Sequence, residues 1–79
     1  MDNILAKELI DKCGVYGYTL FTLDNKEYGI RFDSSEDGYA THTIHPTNMH
    51  TMWETTPWVY AINSKFVDDQ VEVIDVETA

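Results

Sequence analysis

Basic residues are scarce in this chain. Five Lys and Arg stand against fourteen Asp and Glu in 79 residues, a formal net charge of −9. That sign repels phosphate, which argues against direct nucleic-acid binding and against adhesion to an anionic membrane. It favours solubility and fast approach to a basic protein surface. Cysteine is nearly absent as well. Cys13 stands alone, so no intrachain disulfide can form, and the expected compartment is a reducing cytoplasm, the host's if the chain is viral. Long apolar runs are missing: no window approaches the ~18 apolar residues that span a bilayer. The opening MDNILAKELIDKCG lacks the basic stretch and long apolar run of a signal peptide. The four glycines, Gly14, Gly17, Gly29 and Gly38, are dispersed, so no glycine-rich phosphate loop exists. Neither G-x-S-x-G nor H-E-x-x-H occurs, and no enzyme or cofactor chemistry is expected.

What is present argues for a folded chain. Hydrophobic residues make up 43%, including two Trp, five Tyr and three Phe, which is too much apolar surface for a disordered segment. The length allows one domain, 1–79, with a small core. Residues 3–13 carry Leu5, Ala6, Leu9, Ile10 and Cys13 on one helical face. Asp2 or Asn3 can cap that helix, Lys7–Asp11 and Glu8–Lys12 are i,i+4 pairs, and Gly14 stands where a left-handed C′ residue belongs. The period then changes to two. Residues 15–23 and 27–32 read as a hairpin around DNK, 33–38 (DSSEDG) as a polar loop, and 39–45 as a third strand ended by Pro46. Gly17 and Gly29 fall inside these strands, where glycine marks a bulge or a close backbone contact. Residues 47–56 suit a short helix with Met49, Met52 and Trp53 on one face and Pro57 as its stop. Residues 58–64 and 70–77 read as two more strands. The expected fold is α+β: a small antiparallel sheet of four to five strands, one N-terminal helix and one short helix.

His42, His45 and His50 lie within THTIHPTNMH. Three histidines suffice for a zinc site only if they converge. On a strand, residues three apart point to opposite faces, so His42 and His45 separate and no metal is expected. Asp33, Ser35, Asp37 and Gly38 match the opening of an EF-hand loop, but the twelfth position is Ile44 where a glutamate is required, and strands flank the loop. A hairpin tip is the better reading. Cys13 sits on an apolar helix face at the helix C-terminus, where a thiol is inert.

Two features remain. Asp33, Glu36 and Asp37 cluster in one loop, and Asp68, Asp69, Glu72, Asp75 and Glu77 crowd the last dozen residues. Asp75 and Glu77 share a strand face, as would Asp69 on a straight strand. The second feature is aromatic: Trp53, Trp58 and Tyr60 lie close together, with tyrosines spread through the strands. A small sheet cannot bury all of them, and Trp and Tyr are enriched at interface centres. The expected function is therefore a non-catalytic inhibitor that binds the basic surface of a host nucleic-acid-handling enzyme or complex, possessing no cofactor. Its carboxylates would act as a DNA or RNA mimic. By analogy of type, phage anti-restriction and anti-CRISPR proteins work this way. The contact residues are Asp33, Glu36, Asp37, Asp69, Glu72 and Asp75, with Trp53 or Trp58 as anchor. The alternative is a structural or regulatory interaction subunit, a homodimer through an aromatic face.

Overall fold

The computed structural model describes residues 1–47 and 57–79. Helix α1 spans Asn3–Cys13. Asp2 is its cap: with extended backbone, its carboxylate accepts the Leu5 N–H at 2.8 Å. That bond satisfies one of the orphan donors of the first turn. Lys7 and Asp11 form the expected ion pair at 3.1 Å. At the other end the Gly14 N–H donates to the Ile10 carbonyl at 2.9 Å, and Gly14 takes φ +79° and ψ 155°. The φ is positive as expected, but ψ lies outside the left-handed helical region. Only glycine is at ease there.

Five strands follow: β1 Tyr18–Leu23, β2 Lys26–Glu36, β3 Tyr39–Pro46, β4 Tyr60–Val67 and β5 Gln70–Thr78. They form one antiparallel sheet in the order β1-β2-β3-β4-β5. Three of the connections contain just two residues: Asp24–Asn25, Asp37–Gly38 and Asp68–Asp69. All six of these residues have positive φ, from 51° to 83°. Both central residues at positive φ define the type I′ turn, whose twist matches that of the strands it joins.

The polar loop expected over 33–38 is therefore mostly strand. Ser34, Ser35 and Glu36 pair with Thr41, Ala40 and Tyr39, and only Asp37–Gly38 turns. An Asp-Gly pair is a complete hairpin turn, so the polar residues before it remain in the ladder. At the start of β1 the reverse holds. Val15 and Tyr16 lie in a turn and pairing begins at Tyr18. A Cβ on Gly17 would collide with the Cys13 carbonyl oxygen, so its lack of a side chain permits the close approach of helix end and sheet. The short helix expected over 47–56 is not borne out. Thr47 continues from β3 without helical structure, and 48–56 lie outside the described residues.

One sheet face packs on α1. Ile30 and Ile44 are cross-strand partners, Ile62 opposes His42 on the same face, and Ala6, Leu9 and Ile10 close over them. All but Leu9 of these six hydrophobic residues are at most 1% exposed. Burying each large aliphatic is worth about 1.5–3 kcal/mol, which makes this small cluster the main source of cohesion.

Candidate interaction surface

The histidines separate as the strand period requires. His42 pairs with Phe32 and Ile62 on the α1 side, whereas His45 pairs with Gly29 on the second face. His42 is fully buried, with the Phe32 ring edge-on at 5.8 Å between centroids. Its Nε2 lies 2.7 Å from the Val15 carbonyl oxygen, so Nε2 carries the proton and donates. Nδ1 is buried and has no hydrogen-bond partner among the described residues. Burial pushes the His42 pKa below the usual imidazole range, with the Val15 contact opposing it. His45 Nε2 lies 2.9 Å from Thr43 Oγ1. His50 is outside the described residues. Among the described residues no three His, Cys, Asp or Glu side chains gather as a metal site would require. Cys13 is half-buried, its Sγ 3.1 Å from the Gly14 carbonyl oxygen, and desolvation raises its pKa.

The acids gather on the second face and at one end of the sheet. Cross-strand partners project to the same side. One row across four strands reads Glu36, Tyr39, Lys65, Glu72. The next reads Ser34, Thr41, Asn63, Asp75, and it is laced: Thr41 Oγ1 donates to Asn63 Oδ1 at 3.2 Å, and Asn63 Nδ2 donates to Asp75 Oδ1 at 2.7 Å. Glu77 follows, opposite Ala61. Glu72 and Asp75, three apart, would face opposite ways on a straight strand. A register shift between Asn63 and Ser64, with Ile74 as the extra residue on β5, returns both to the second face.

Of the acids expected to act together, Glu36, Glu72 and Asp75 thus share a face. Asp37 and Asp69 sit at the β2–β3 and β4–β5 turns. These turns lie at the same end of the sheet, joined by the Phe66 N–H donating to the Gly38 carbonyl at 3.0 Å. Asp33 is the unpaired residue of a second bulge, between Phe32 and Ser34. Asp69 does not extend the Asp75–Glu77 face, because it turns the chain instead of continuing β5.

The aromatic partners differ from expectation. Trp53 lies outside the described residues. Trp58 is half-buried just before β4, at the opposite end of the sheet from the acidic turns. Tyr39, 55% exposed, stands between Glu36 and Lys65 and is the aromatic ring among the acids. Its signal in the sequence was the Asp-Gly turn, which dictates the Glu36–Tyr39 pairing.

Among the described residues, fold and surface together define a five-stranded antiparallel meander with one helix, whose turns at one end and second face carry carboxylates. Comparison with protein-family models, curated proteins and solved structures finds no match. Among the described residues no helix is long and apolar enough to cross a membrane.

Proposed function

We propose that the chain is a small acidic, non-catalytic protein that binds and inhibits a host nucleic-acid-handling enzyme or complex, setting carboxylates where that partner receives phosphates. The observation that carries this reading is the convergence of Glu36, Glu72, Asp75 and Glu77 on one face beside the Asp37 and Asp68–Asp69 turns. Asp75 and Glu77 stand ~7 Å apart along β5, and Glu36 lies three strand spacings, roughly 14 Å, from Glu72 across Tyr39 and Lys65, so a basic groove meets a charged area and not a point. Lys65 is the one cation in the outermost row, and Tyr39 supplies a ring for specificity. The phage anti-restriction and anti-CRISPR assignment rests on analogy of type alone.

The test is capture of partners from lysate at low salt, stepwise elution with salt, and competition by duplex DNA. A captured nucleic-acid enzyme that DNA displaces, and that Glu36→Gln/Asp37→Asn/Glu72→Gln no longer inhibits, supports the reading. Affinity that is unchanged between low and high salt refutes it, since screening shortens from about 10 Å at 0.1 M to about 3 Å at 1 M.

A second reading, an interaction subunit that self-associates through an aromatic face, is favoured by one observation. Tyr16, Tyr18 and Leu20 are 51–73% exposed along the charge-free β1 edge, Tyr18 and Leu20 on the second face and Tyr16 against Phe32. Sedimentation across a concentration series separates the two, because a dimer insensitive to salt belongs to the second.

A further inference from the structure

The two edges of the sheet differ in character. β1 (YTLFTL) has no charged residue, whereas β5 with its preceding turn carries Asp68, Asp69, Glu72, Asp75 and Glu77. Beside β5 runs an open groove of about 700 Å³, bounded on one side by α1 and on the other by the strand edge. Its floor is apolar: Ile4, Val67, Val71 and Val73. Ile4 is 74% exposed and Val67 39%, so neither is used by the core. Glu8, Asp68 and Glu72 rim the groove. The one cation in it, Lys7, is already paired with Asp11 at 3.1 Å.

We propose that this groove and the β5 edge receive an extended segment of a partner protein as a sixth strand, with apolar and basic residues alternating. The main chain of an edge strand offers unpaired N–H and C=O groups to such a segment. The faces dictate the alternation. Residues of the added strand on the α1 side meet Val71, Val73 and Ile4 and are apolar. Those on the other side meet Glu72, Asp75 and Glu77 and are basic. A second copy of this chain does not fit, because two β5 edges would bring their acids face to face, and like charges directly opposite are unfavourable. The proposal rests on the functional reading for its basic partner and shares Glu72, Asp75 and Glu77 with that acidic face, but the groove and the β5 main chain are its own, and Glu36 and Asp37 lie outside it.

The experiment uses the full chain and a capped seven-residue peptide alternating lysine and valine. A peptide of the same composition with lysines and valines in separate blocks is the control. Titration gives affinity, and amide hydrogen exchange gives location. The expected result is slowed exchange in residues 70–78 and not in 18–23, with the alternating peptide binding at least about tenfold tighter than the block peptide. Ile4→Ser and Glu72→Gln each weaken binding severalfold; both sites are exposed, so folding is retained. Glu36→Gln/Asp37→Asn leaves it unchanged, which separates this site from the acidic turn. Equal binding of the two peptides means diffuse charge attraction and overturns the proposal. So does protection at β1, absence of binding at millimolar peptide, or a concentration-dependent dimer that protects the same amides without peptide.

Discussion

The Asp68–Asp69 turn is the most informative place to perturb. Both residues hold positive φ, 51° and 63°, as a type I′ turn requires, yet neither is glycine. In the same sheet the β2–β3 turn solves the same problem with Asp37–Gly38. An L-residue in the left-handed region costs about 1–2 kcal/mol, which glycine at the second position recovers. Glycine gives back about 0.5–1 kcal/mol through the greater freedom of the unfolded chain. Asp69→Gly is therefore expected to stabilise by about 0.5–1 kcal/mol, raising Tm by about 2–8 °C in a chain of this size. Asp68→Asn keeps a residue suited to positive φ and removes one of two adjacent negative charges. Its gain should be present at low salt and disappear near 1 M, where the screening length falls to about 3 Å. The Asp69→Gly gain should retain its conformational share at high salt. Thermal unfolding followed by circular dichroism at both salts measures this directly. A Tm for Asp69→Gly that is unchanged or lower at both salts refutes the reasoning and shows that the Asp69 side chain stabilises its own turn. A more stable variant that binds its partner less well would show that these acids are kept for contact at the expense of stability.

Other consequences are equally open to measurement. His42 has a lowered pKa in the folded protein and an ordinary one, about 6.5, when unfolded, so below that value the unfolded chain binds more protons. Stability should be fully present above about pH 6.5 and decline as pH falls toward the depressed folded pKa, by at most about 1.4 kcal/mol per pH unit for one proton. Urea titrations across pH should show His42→Phe without that share of the slope, and an identical slope would exclude His42 as its source. Ile44, at 0% exposure in the centre of the α1 face, should lose about 0.5–1.5 kcal/mol as Ile44→Val and about 2–5 kcal/mol as Ile44→Ala, read from urea midpoints. Gly17→Ala should destabilise by about 1–3 kcal/mol, because the new methyl group meets the Cys13 carbonyl. Gly38→Ala meets nothing within 4 Å but holds φ +83°, so it should cost only the conformational share, about 1–2 kcal/mol.

The helix was readable to its last residue because both ends carry local chemistry: the Asp2 carboxylate at the start and Gly14 after Cys13. The five strands were readable from their two-residue period and from β-branched and aromatic residues. The length of β2 was not. Asp33 to Glu36 are polar and look like loop, and only the later pairing with β3 keeps them extended. Nor was the composition of the acidic face. Sequence spacing puts Glu72 and Asp75 on opposite sides, and the β5 bulge that reunites them arises from the ladder with β4, not from a local signal. Size and rarity single out Trp58 in the sequence, whereas register decides which ring stands among the acids, and that ring is Tyr39.

The meander order has a consequence for how the chain comes to fold. Every strand pairs with its neighbour in sequence, so the sheet can assemble one hairpin at a time; three of the four closing steps span two residues and the fourth, between β3 and β4, spans thirteen. The helix is the exception. α1 packs chiefly on β5, at the far end of the sequence. During synthesis, at about 5–20 residues per second, roughly three to twelve seconds separate the appearance of Cys13 from that of Gln70. Through that interval Ala6, Leu9 and Ile10 lack the far wall of their core. The outer side of α1 carries as many bases as acids, Lys7 and Lys12 with Glu8 and Asp11, so its own charges do not hold the waiting helix apart from other nascent chains.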